Sequence, residues 1–246
     1  MISHEHKAIY VHVPKCAGSS VEKMLLPNRP QQDGPDYEHL FGWCPKRKIH
    51  LQHATATQML DLELVTESQW RDYYKFAFVR NPFDRTFSDY FWMKTQVDPA
   101  GGFGEYIERC GRFAPILAEP DGPDYRGDHL IPQCEFVHID GKIAVDFIGR
   151  FESLDAGLET IQTKLSVVDR RVPHLKKGRK RHQHYSHFYT NRMREQVRSL
   201  YEADLAAFDY QFDDQRNMMS NIKRYVWPIR HTLGNWKYAA QTRFGV

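Results

Sequence analysis

Long apolar segments are absent from this sequence. No stretch approaches the roughly 18 consecutive apolar residues that a membrane-spanning helix requires, and the N-terminal residues MISHEHKAIYV lack the apolar core of a secretion signal. We therefore expect a soluble, cytoplasmic protein without an integral membrane segment.

Cysteines are few, and they are not arranged in pairs. Cys16, Cys44, Cys110 and Cys134 include no CxxC spacing, so free thiols in a reducing compartment are expected rather than disulfides. The histidines of HQHYSH, at 182–187, are spaced too loosely to favour a zinc site over a solvated loop. The sequence therefore implies no metal.

Charge of one sign is also scarce. The chain contains 34 Lys and Arg against 31 Asp and Glu, a formal net charge of +3, which excludes a protein that coats polyanions with its whole surface. The strongest basic run, KKGRKRH at 176–182, is short and has no recognition motif beside it, which argues against nucleic acid as a partner. A local basic site is compatible with this balance.

Internal repeats and low-complexity linkers are missing as well, whereas apolar residues make up 41% and aromatic residues 13% of the chain. That content supports a hydrophobic core and excludes a disordered chain. We expect one domain over residues 1–215 and a C-terminal extension, 216–246, that packs on the core or on a partner. The sequence carries no signal for the oligomeric state.

Two continuous apolar runs, at 8–13 and 73–79, predict strands that are buried on both faces of a parallel sheet. A turn and a helix follow each run, so we expect an α/β protein with a central, mostly parallel sheet flanked by helices. Because the carboxyl ends of parallel strands lie on one rim, the turns at 14–20 and 80–88 should be neighbours that face a ligand.

Local signals predict further details of the fold. Ser19 and Glu22 have the spacing of a capping box at the start of a helix. The segment EFVHIDGKIAVDFIGRF is typical of two strands around a hairpin turn at Asp140-Gly141, and one long helix is expected from 191 to 208.

The first turn, PKCAGSS, has the composition of an anion-binding site. Gly18 lets the backbone approach a ligand closely, and the amides of Ser19, Ser20 and Val21 are expected to be unpaired donors at a helix N-terminus. Serine hydroxyls and the Lys15 ammonium would add to them. The alternative is an ordinary capped helix with a surface lysine.

The same turn differs from the Walker motif, GxxxxGK[ST], because Lys15 precedes Gly18 by three residues. No acidic residue follows the second strand to hold Mg²⁺. Both differences argue against an ATP-using P-loop kinase, which is the nearest enzyme alternative.

The second turn contributes a second cationic group. Arg80 ends a strand, and Arg85 and Ser88 share a face of the next helix. Arg80 and Ser88 could bind a second anion, because a guanidinium group binds phosphate in a bidentate manner. The alternative is that the arginines pair with Asp84 or Asp89.

Together, VPKCAGSS and RNPFDRTFSDY resemble the two donor-binding motifs of the sulfotransferases that use 3′-phosphoadenylyl sulfate (PAPS). The resemblance is greatest to the carbohydrate sulfotransferases of the heparan 2-O and chondroitin 4-O type. The later blocks DFIGRFESL, VPHLKKG and FYTNRMREQVRSLYEADLAAFDYQF are also similar to that family, so the resemblance covers roughly residues 8–212. It implies a single α/β domain with a P-loop-like sulfotransferase fold.

The resemblance also implies roles for residues of both turns. The 5′-phosphosulfate would be held by Lys15, Ala17, Gly18, Ser19 and Ser20, and the 3′-phosphate by Arg80 and Ser88. Cys16 stands where the family often has Thr or Gly, which removes a possible hydroxyl donor. The membrane anchor of the animal Golgi enzymes is absent, which suits a soluble enzyme of bacterial type.

The expected reaction moves a sulfuryl group from PAPS to a hydroxyl of a carbohydrate or glycoconjugate acceptor. Lys15 would stabilise the charge that develops on the leaving phosphate. The resemblance favours His53 as the base, because the family's catalytic histidine lies shortly before a helix in this region. His50, a carboxylate elsewhere, or no base at all are the alternatives.

A basic run at 176–182 admits three interpretations: a solvated loop, a lid over the 3′-phosphate and adenine, or a contact for an acidic glycan. Lys177 and Gly178 are accordingly candidates for cofactor binding. The run also supports an alternative of another class, a non-catalytic binder of anionic glycans. The aromatic residues Trp43, Tyr90, Phe91 and Trp92 are candidates for stacking on sugar rings.

Overall fold

The computed structural model describes residues 1–30, 33–96, 100–167 and 183–217. Lys177, Gly178 and the rest of the basic run lie outside the described residues, as does the C-terminal extension beyond residue 217.

The described residues form a mixed α/β fold. The strands are β1 (Ile2–Ser3), β2 (Ala8–Tyr10), β3 (Trp43–Cys44), β4 (Ile49–His50), β5 (Tyr74–Val79), β6 (His138–Ile139), β7 (Lys142–Ile143) and β8 (Phe147–Arg150). The α-helices are α1 (Gly18–Leu25), α2 (Ala56–Asp61), α3 (Glu67–Asp72), α4 (Pro82–Gln96), α5 (Phe103–Ile107), α6 (Ala114–Ala118), α7 (Gln133–Val137), α8 (Leu154–Lys164), α9 (Asn191–Leu200) and α10 (Glu202–Ala207). Short 3₁₀ turns at Leu51–His53 and Gly127–Leu130 carry residues that are important below.

The main sheet has the order β1-β2-β5-β8. β2, β5 and β8 run parallel, whereas β1 is antiparallel to β2. The prediction of a mostly parallel sheet is therefore confirmed. Its central strands are almost continuously apolar because both faces of the sheet are covered, and Phe76 and Phe78 are fully buried.

The prediction for residues 135–151 was only partly right. The hairpin at Asp140-Gly141 is present, with both residues in the left-handed conformation that such a turn requires. It is confined to β6 and β7, however. β8 pairs with β5 as the third parallel strand, and the segment before the hairpin forms α7 rather than a strand.

Two helix predictions were wrong in detail. Ser19 does not cap α1, because the helix begins at Gly18 and its N-cap residue is Ala17, which makes no side-chain capping bond. The long helix expected from 191 to 208 is divided at Tyr201 into α9 and α10.

Hydrophobic residues are buried in two clusters. One surrounds the main sheet and the other lies among α4, α5 and α9. α4 contributes Phe83, Phe87, Tyr90 and Met93 to the second cluster. Its opposite face is polar and positions part of the site described below.

Two further findings concern the cysteines and the character of the helices. All four cysteines are free thiols. In the part of the chain that the structure describes, no helix combines the length and the apolar character needed to cross a membrane.

Candidate active site

A cavity of about 1250 Å³ lies beyond the carboxyl ends of β2 and β5. Every predicted site residue in the described part of the chain lines it: Lys15, Ala17, Gly18, Ser19, Ser20, His53, Arg80 and Ser88. The two turns are neighbours, as expected from parallel strands, and a guanidinium N–H of Arg80 donates to the carbonyl oxygen of Lys15 over 3.2 Å.

The first turn has a strained backbone. Lys15 and Ala17 both adopt left-handed conformations, with φ of 69° and 68°. Such strain costs about 1–3 kcal/mol per residue and is concentrated at ligand sites. The amides of Ser20 and Val21 donate to the Ala17 carbonyl, so the expectation that they would be open is wrong.

Backbone amides without hydrogen-bond partners remain just before Ser20 in the described part of the turn. Among the described residues, the amides of Gly18 and Ser19 have no hydrogen-bond partner. They lie at the N-terminus of α1 and border the cavity beside the Lys15 side chain. This part of the turn can therefore still bind an anion.

Gly18 is needed for a reason that the sequence did not reveal. A Cβ atom on this residue would lie 2.2 Å from Nε2 of His12 and 2.3 Å from its Cε1. The glycine therefore makes room for an imidazole ring that also lines the cavity. Burial, followed by the neighbouring His53, lowers the pKa of His12 well below its ordinary value, so this ring is neutral near pH 7.

Cys16 points away from the cavity. Its side chain is fully buried, and Sγ lies 3.5 Å from Oε1 of Gln133. Burial raises the pKa of the thiol to about 12. A hydroxyl at this position would face Gln133 as well, so the replacement of Thr by Cys does not remove a donor from the cavity.

The second turn is locked by hydrogen bonds. Nε and a terminal nitrogen of Arg80 donate to Asp84 over 2.8 and 2.5 Å, which is the pairing given above as an alternative. Arg85 pairs with neither of the predicted carboxylates. It is buried and donates to the carbonyl oxygens of Pro14, His129 and Ile131.

The side chain of Gln133 contacts residues of both turns, Arg80 and Cys16. Its amide accepts from the Arg80 N–H over 2.8 Å and donates to the Arg80 carbonyl over 2.9 Å, while Oε1 also faces Cys16. The backbone amides of Gln133 and Cys134 donate to the two oxygens of Asp204, each over 2.8 Å. All of these groups are buried, so they form one rigid support.

His53 is oriented by a carboxylate. Its Nδ1 lies 2.6 Å from Oδ2 of Asp128. Despite the opposing effect of burial, the nearby histidines His53 and His129 hold the pKa of Asp128 well below its usual value. The carboxylate is therefore ionised and accepts the Nδ1 proton, which leaves the lone pair on Nε2 of His53.

The protonation of His53 follows from its surroundings. Burial lowers its pKa to about 4, and the Asp128 carboxylate offsets this effect only in part. The other oxygen of Asp128 is enclosed and has no hydrogen-bond partner in the described residues. A buried carboxylate with so few partners costs stability, as expected for a group whose use is to orient the histidine.

His50, the other histidine of this segment, has its Nε2 already engaged. Its Nε2 lies 2.9 Å from the Tyr125 carbonyl, which accepts a hydrogen bond, and the Arg126 guanidinium is 3.0 Å away. Burial lowers its pKa as well. Of the two histidines of KIHLQH, His53 therefore has the ring that a carboxylate orients and an Nε2 atom without a hydrogen-bond partner in the described residues.

Three residues of the site also satisfy the spacing of a metal centre. One ligand atom each of His53, Asp128 and His129 lies within 4.8 Å of the others. Two of these residues are already joined by the 2.6 Å hydrogen bond, which a shared metal ion would have to break. The geometry is that of an oriented imidazole, and the absence of a metal stays a prediction.

The aromatic candidates divide into two groups. Tyr90 is buried in the hydrophobic cluster around α4, and Phe91 and Trp92 pack against that cluster, but only Trp92 of these three also lines the cavity. Its indole stacks on His129, with ring centroids 5.1 Å apart, and Nζ of Lys15 lies 4.9 Å from the ring centre. The Trp92 ring therefore contacts the charged Lys15 and the polar His129 rather than offering an uncovered ring to a sugar.

Sequence reasoning missed four residues of the site: His12, Asp128, His129 and Gln133. A histidine within the apolar run AIYVHV was a usable signal for the first. The adjacent acid and histidine in RGDHL were another, but the irregular segment around them predicts no element. Nothing in the sequence distinguishes Gln133 from a surface glutamine.

Comparison with curated proteins and with solved structures gives no match. The model of the sulfotransferase family, in contrast, matches residues 1–211, a stretch that includes both turns, His53 and the Gln133 support. Since this match covers most of the 246 residues, the chain belongs to the sulfotransferase family.

Proposed function

We propose that this protein transfers a sulfuryl group from PAPS to a hydroxyl of a carbohydrate or glycoconjugate acceptor. The observation that carries the proposal is that Lys15, Arg80 and the Asp128-oriented His53 face one cavity. An anion site, a second cation and an oriented imidazole are the groups that this reaction requires.

The residues present fit the donor. Lys15, the open amides of Gly18 and Ser19, and the serine hydroxyls suit the 5′-phosphosulfate, in a strand–turn–helix arrangement that supports a P-loop-like core. Arg80 and Ser88 suit the 3′-phosphate. A guanidinium group has five N–H donors, and those of Arg80 that are not directed at Asp84 or Lys15 remain for a phosphate oxygen.

The chain's own residues account for the chemistry. The donor supplies a sulfuryl group attached to a phosphate that can leave. Nε2 of His53 takes the proton of the acceptor hydroxyl as its oxygen bonds to sulfur. The bond between sulfur and the bridging oxygen breaks, and Lys15 stabilises the negative charge that the phosphate oxygen gains.

Transfer of radiolabelled sulfate from PAPS to a panel of glycans, glycolipids and small alcohols tests the proposal. We expect transfer by the wild-type protein and a loss of about 10²–10⁴-fold in kcat for His53→Ala. Binding of adenosine 3′,5′-bisphosphate, measured by thermal shift, should persist in that variant. Near-normal turnover by His53→Ala would rule out its role as the base.

The same assay separates the alternatives. Phosphate transfer from ATP that requires Mg²⁺ would favour a kinase, and glycan binding without turnover would favour a non-catalytic binder. Asp128→Asn is a matched variant, because it keeps the size of the side chain while removing the charge that orients His53. We expect it to lower kcat by a smaller factor than His53→Ala.

A further inference from the structure

A second histidine of the cavity is held in the same way as His53. Nδ1 of His129 lies 2.7 Å from Oδ1 of Asp89, and the Tyr106 hydroxyl donates to the other oxygen of that carboxylate over 2.6 Å. Asp89 is only 2% exposed. Although burial works in the opposite direction, His129 lowers the pKa of Asp89, which is therefore ionised and accepts the Nδ1 proton.

Further contacts fix the orientation of His129. Its ring stacks on Trp92 at an interplanar angle of 28°, and its carbonyl oxygen accepts from Arg85 over 2.8 Å. The ring lies edge-on to that of His53, with centroids 4.9 Å apart, and both rings line the cavity. A side chain held by so many contacts is positioned, not merely buried.

Both histidines therefore keep one ring nitrogen for the cavity. Nδ1 is engaged by a carboxylate in each case, and neither Nε2 has a hydrogen-bond partner among the described residues. Two such nitrogens on adjoining rings match an acceptor that offers two hydroxyls side by side. A hydroxyl can donate or accept, so it can pair with Nε2 of His129 in either protonation state.

We propose that His129 binds the hydroxyl adjacent to the one that is sulfated, so that the acceptor is a vicinal diol such as a sugar ring provides. The proposal rests on the proposed sulfuryl transfer: His53 takes the proton of one hydroxyl, and His129 holds its neighbour. An acceptor that lacks the second hydroxyl leaves a positioned nitrogen unpaired, and a site of this kind discriminates against such an analogue.

The test compares an acceptor found in the PAPS assay with its analogue that lacks the neighbouring hydroxyl. We expect the wild-type protein to prefer the diol by about 10-fold in kcat/KM. His129→Asn keeps an amide near the Nδ1 position, beside Asp89, but has no atom at Nε2. It should lose the preference and use both acceptors at the rate of the analogue.

Two further variants complete the test. His129→Gln places an amide near the Nε2 position and should recover part of the preference, while His50→Gln should leave it unchanged because Nε2 of His50 is already engaged. Binding of adenosine 3′,5′-bisphosphate by each variant establishes that it is folded.

Three outcomes would overturn the inference. The first is a wild-type protein that shows no preference for the diol, and the second is a His129→Asn variant that keeps this preference. The third is a folded His129→Asn variant that transfers to neither acceptor, which would make His129 the base. A wild-type protein that transfers sulfate to no acceptor would instead overturn the proposed function, and this inference with it.

Discussion

The two turns that face the cavity are built differently. The Lys15 turn has a strained backbone, open amides at Gly18 and Ser19, and a long flexible side chain. The Arg80 turn is fixed at its amide, its carbonyl and its guanidinium group. Both follow parallel strands and begin helices, so the difference comes from their side-chain partners and not from the fold.

This difference suits a donor whose two ends have different tasks. Charge changes during sulfuryl transfer at the sulfated end, where an adjustable cation and open amides are useful. At the other end a phosphate needs only to be held at a constant distance, for which a locked arginine is sufficient. We therefore expect the first turn to govern turnover and the second to govern donor binding.

Replacing the two cations should have the largest effect. We expect Lys15→Met to lower kcat by about 10²–10³-fold, the range found when a group that stabilises developing charge is removed. Arg80→Met should mainly raise the KM for PAPS. Initial rates over a range of PAPS concentrations measure both constants, and the reverse distribution between the two variants would contradict the division of tasks.

Removing the support under the second turn should have the next largest effect. Gln133→Leu leaves the Arg80 N–H and carbonyl buried without partners, so we expect the free energy of unfolding to fall by about 3 kcal/mol. Gln52→Leu is a matched control, since Gln52 accepts a single bond from Gly42. Urea unfolding measures both, and equal losses would show that Gln133 is not a special support.

Acid should weaken the fold through the buried histidines. Burial lowers the pKa of His53 to about 4 from the ordinary value of 6.5, so between these values the unfolded chain binds a proton that the folded protein does not. The free energy of unfolding should therefore be highest above pH 6.5 and decrease by about 1.4 kcal/mol per pH unit below it.

His12 adds to this slope, because its pKa is also lowered by burial. Unfolding free energies measured from pH 7 to pH 4.5 test the expectation, and His53→Gln should reduce the slope by the contribution of one proton. Stability that does not change with pH over this range would contradict neutral, buried imidazoles.

Cys16 should have the smallest effect although it lies within the first turn. Cys16→Ser keeps a donor directed at Gln133, so we expect the KM for PAPS to change by less than about threefold. A decrease of about 10-fold would mean that the new hydroxyl contacts the donor, and that the side chain at this position faces the cavity.

The parts of the site that could be predicted from sequence are those encoded locally. Lys15 and Arg80 follow apolar strand runs directly, and His53 lies shortly before a helix in a region that resembles the family, so the residues around each of them made it a candidate. The capping box at Ser19 failed because the left-handed Ala17 offers its own carbonyl to the helix amides. Backbone conformations of this kind leave no mark in residue spacing.

The remainder depends on contacts between distant segments. His53 and Asp128 are 75 residues apart, and His129 and Asp89 are 40 apart. Their pairing requires the turn at Gly127–Leu130 to pack against both the Leu51–His53 turn and α4, and an irregular segment predicts no such contacts. The assignment of Phe147–Arg150 to the hairpin was wrong for a similar reason: this segment is short and only partly apolar, and its pairing with β5 is decided by the sheet.

The hydrogen bonds to the Asp204 carboxylate have a consequence for folding during synthesis of the chain. Both turns leave the ribosome early, but the amides of Gln133 and Cys134 find their acceptor only when α10 follows. A nascent chain that ends before residue 204 contains the Lys15 and Arg80 turns but lacks the carboxylate that fixes Gln133 between them. The arrangement of the two turns around the cavity should therefore be completed only after residue 204 has been synthesised.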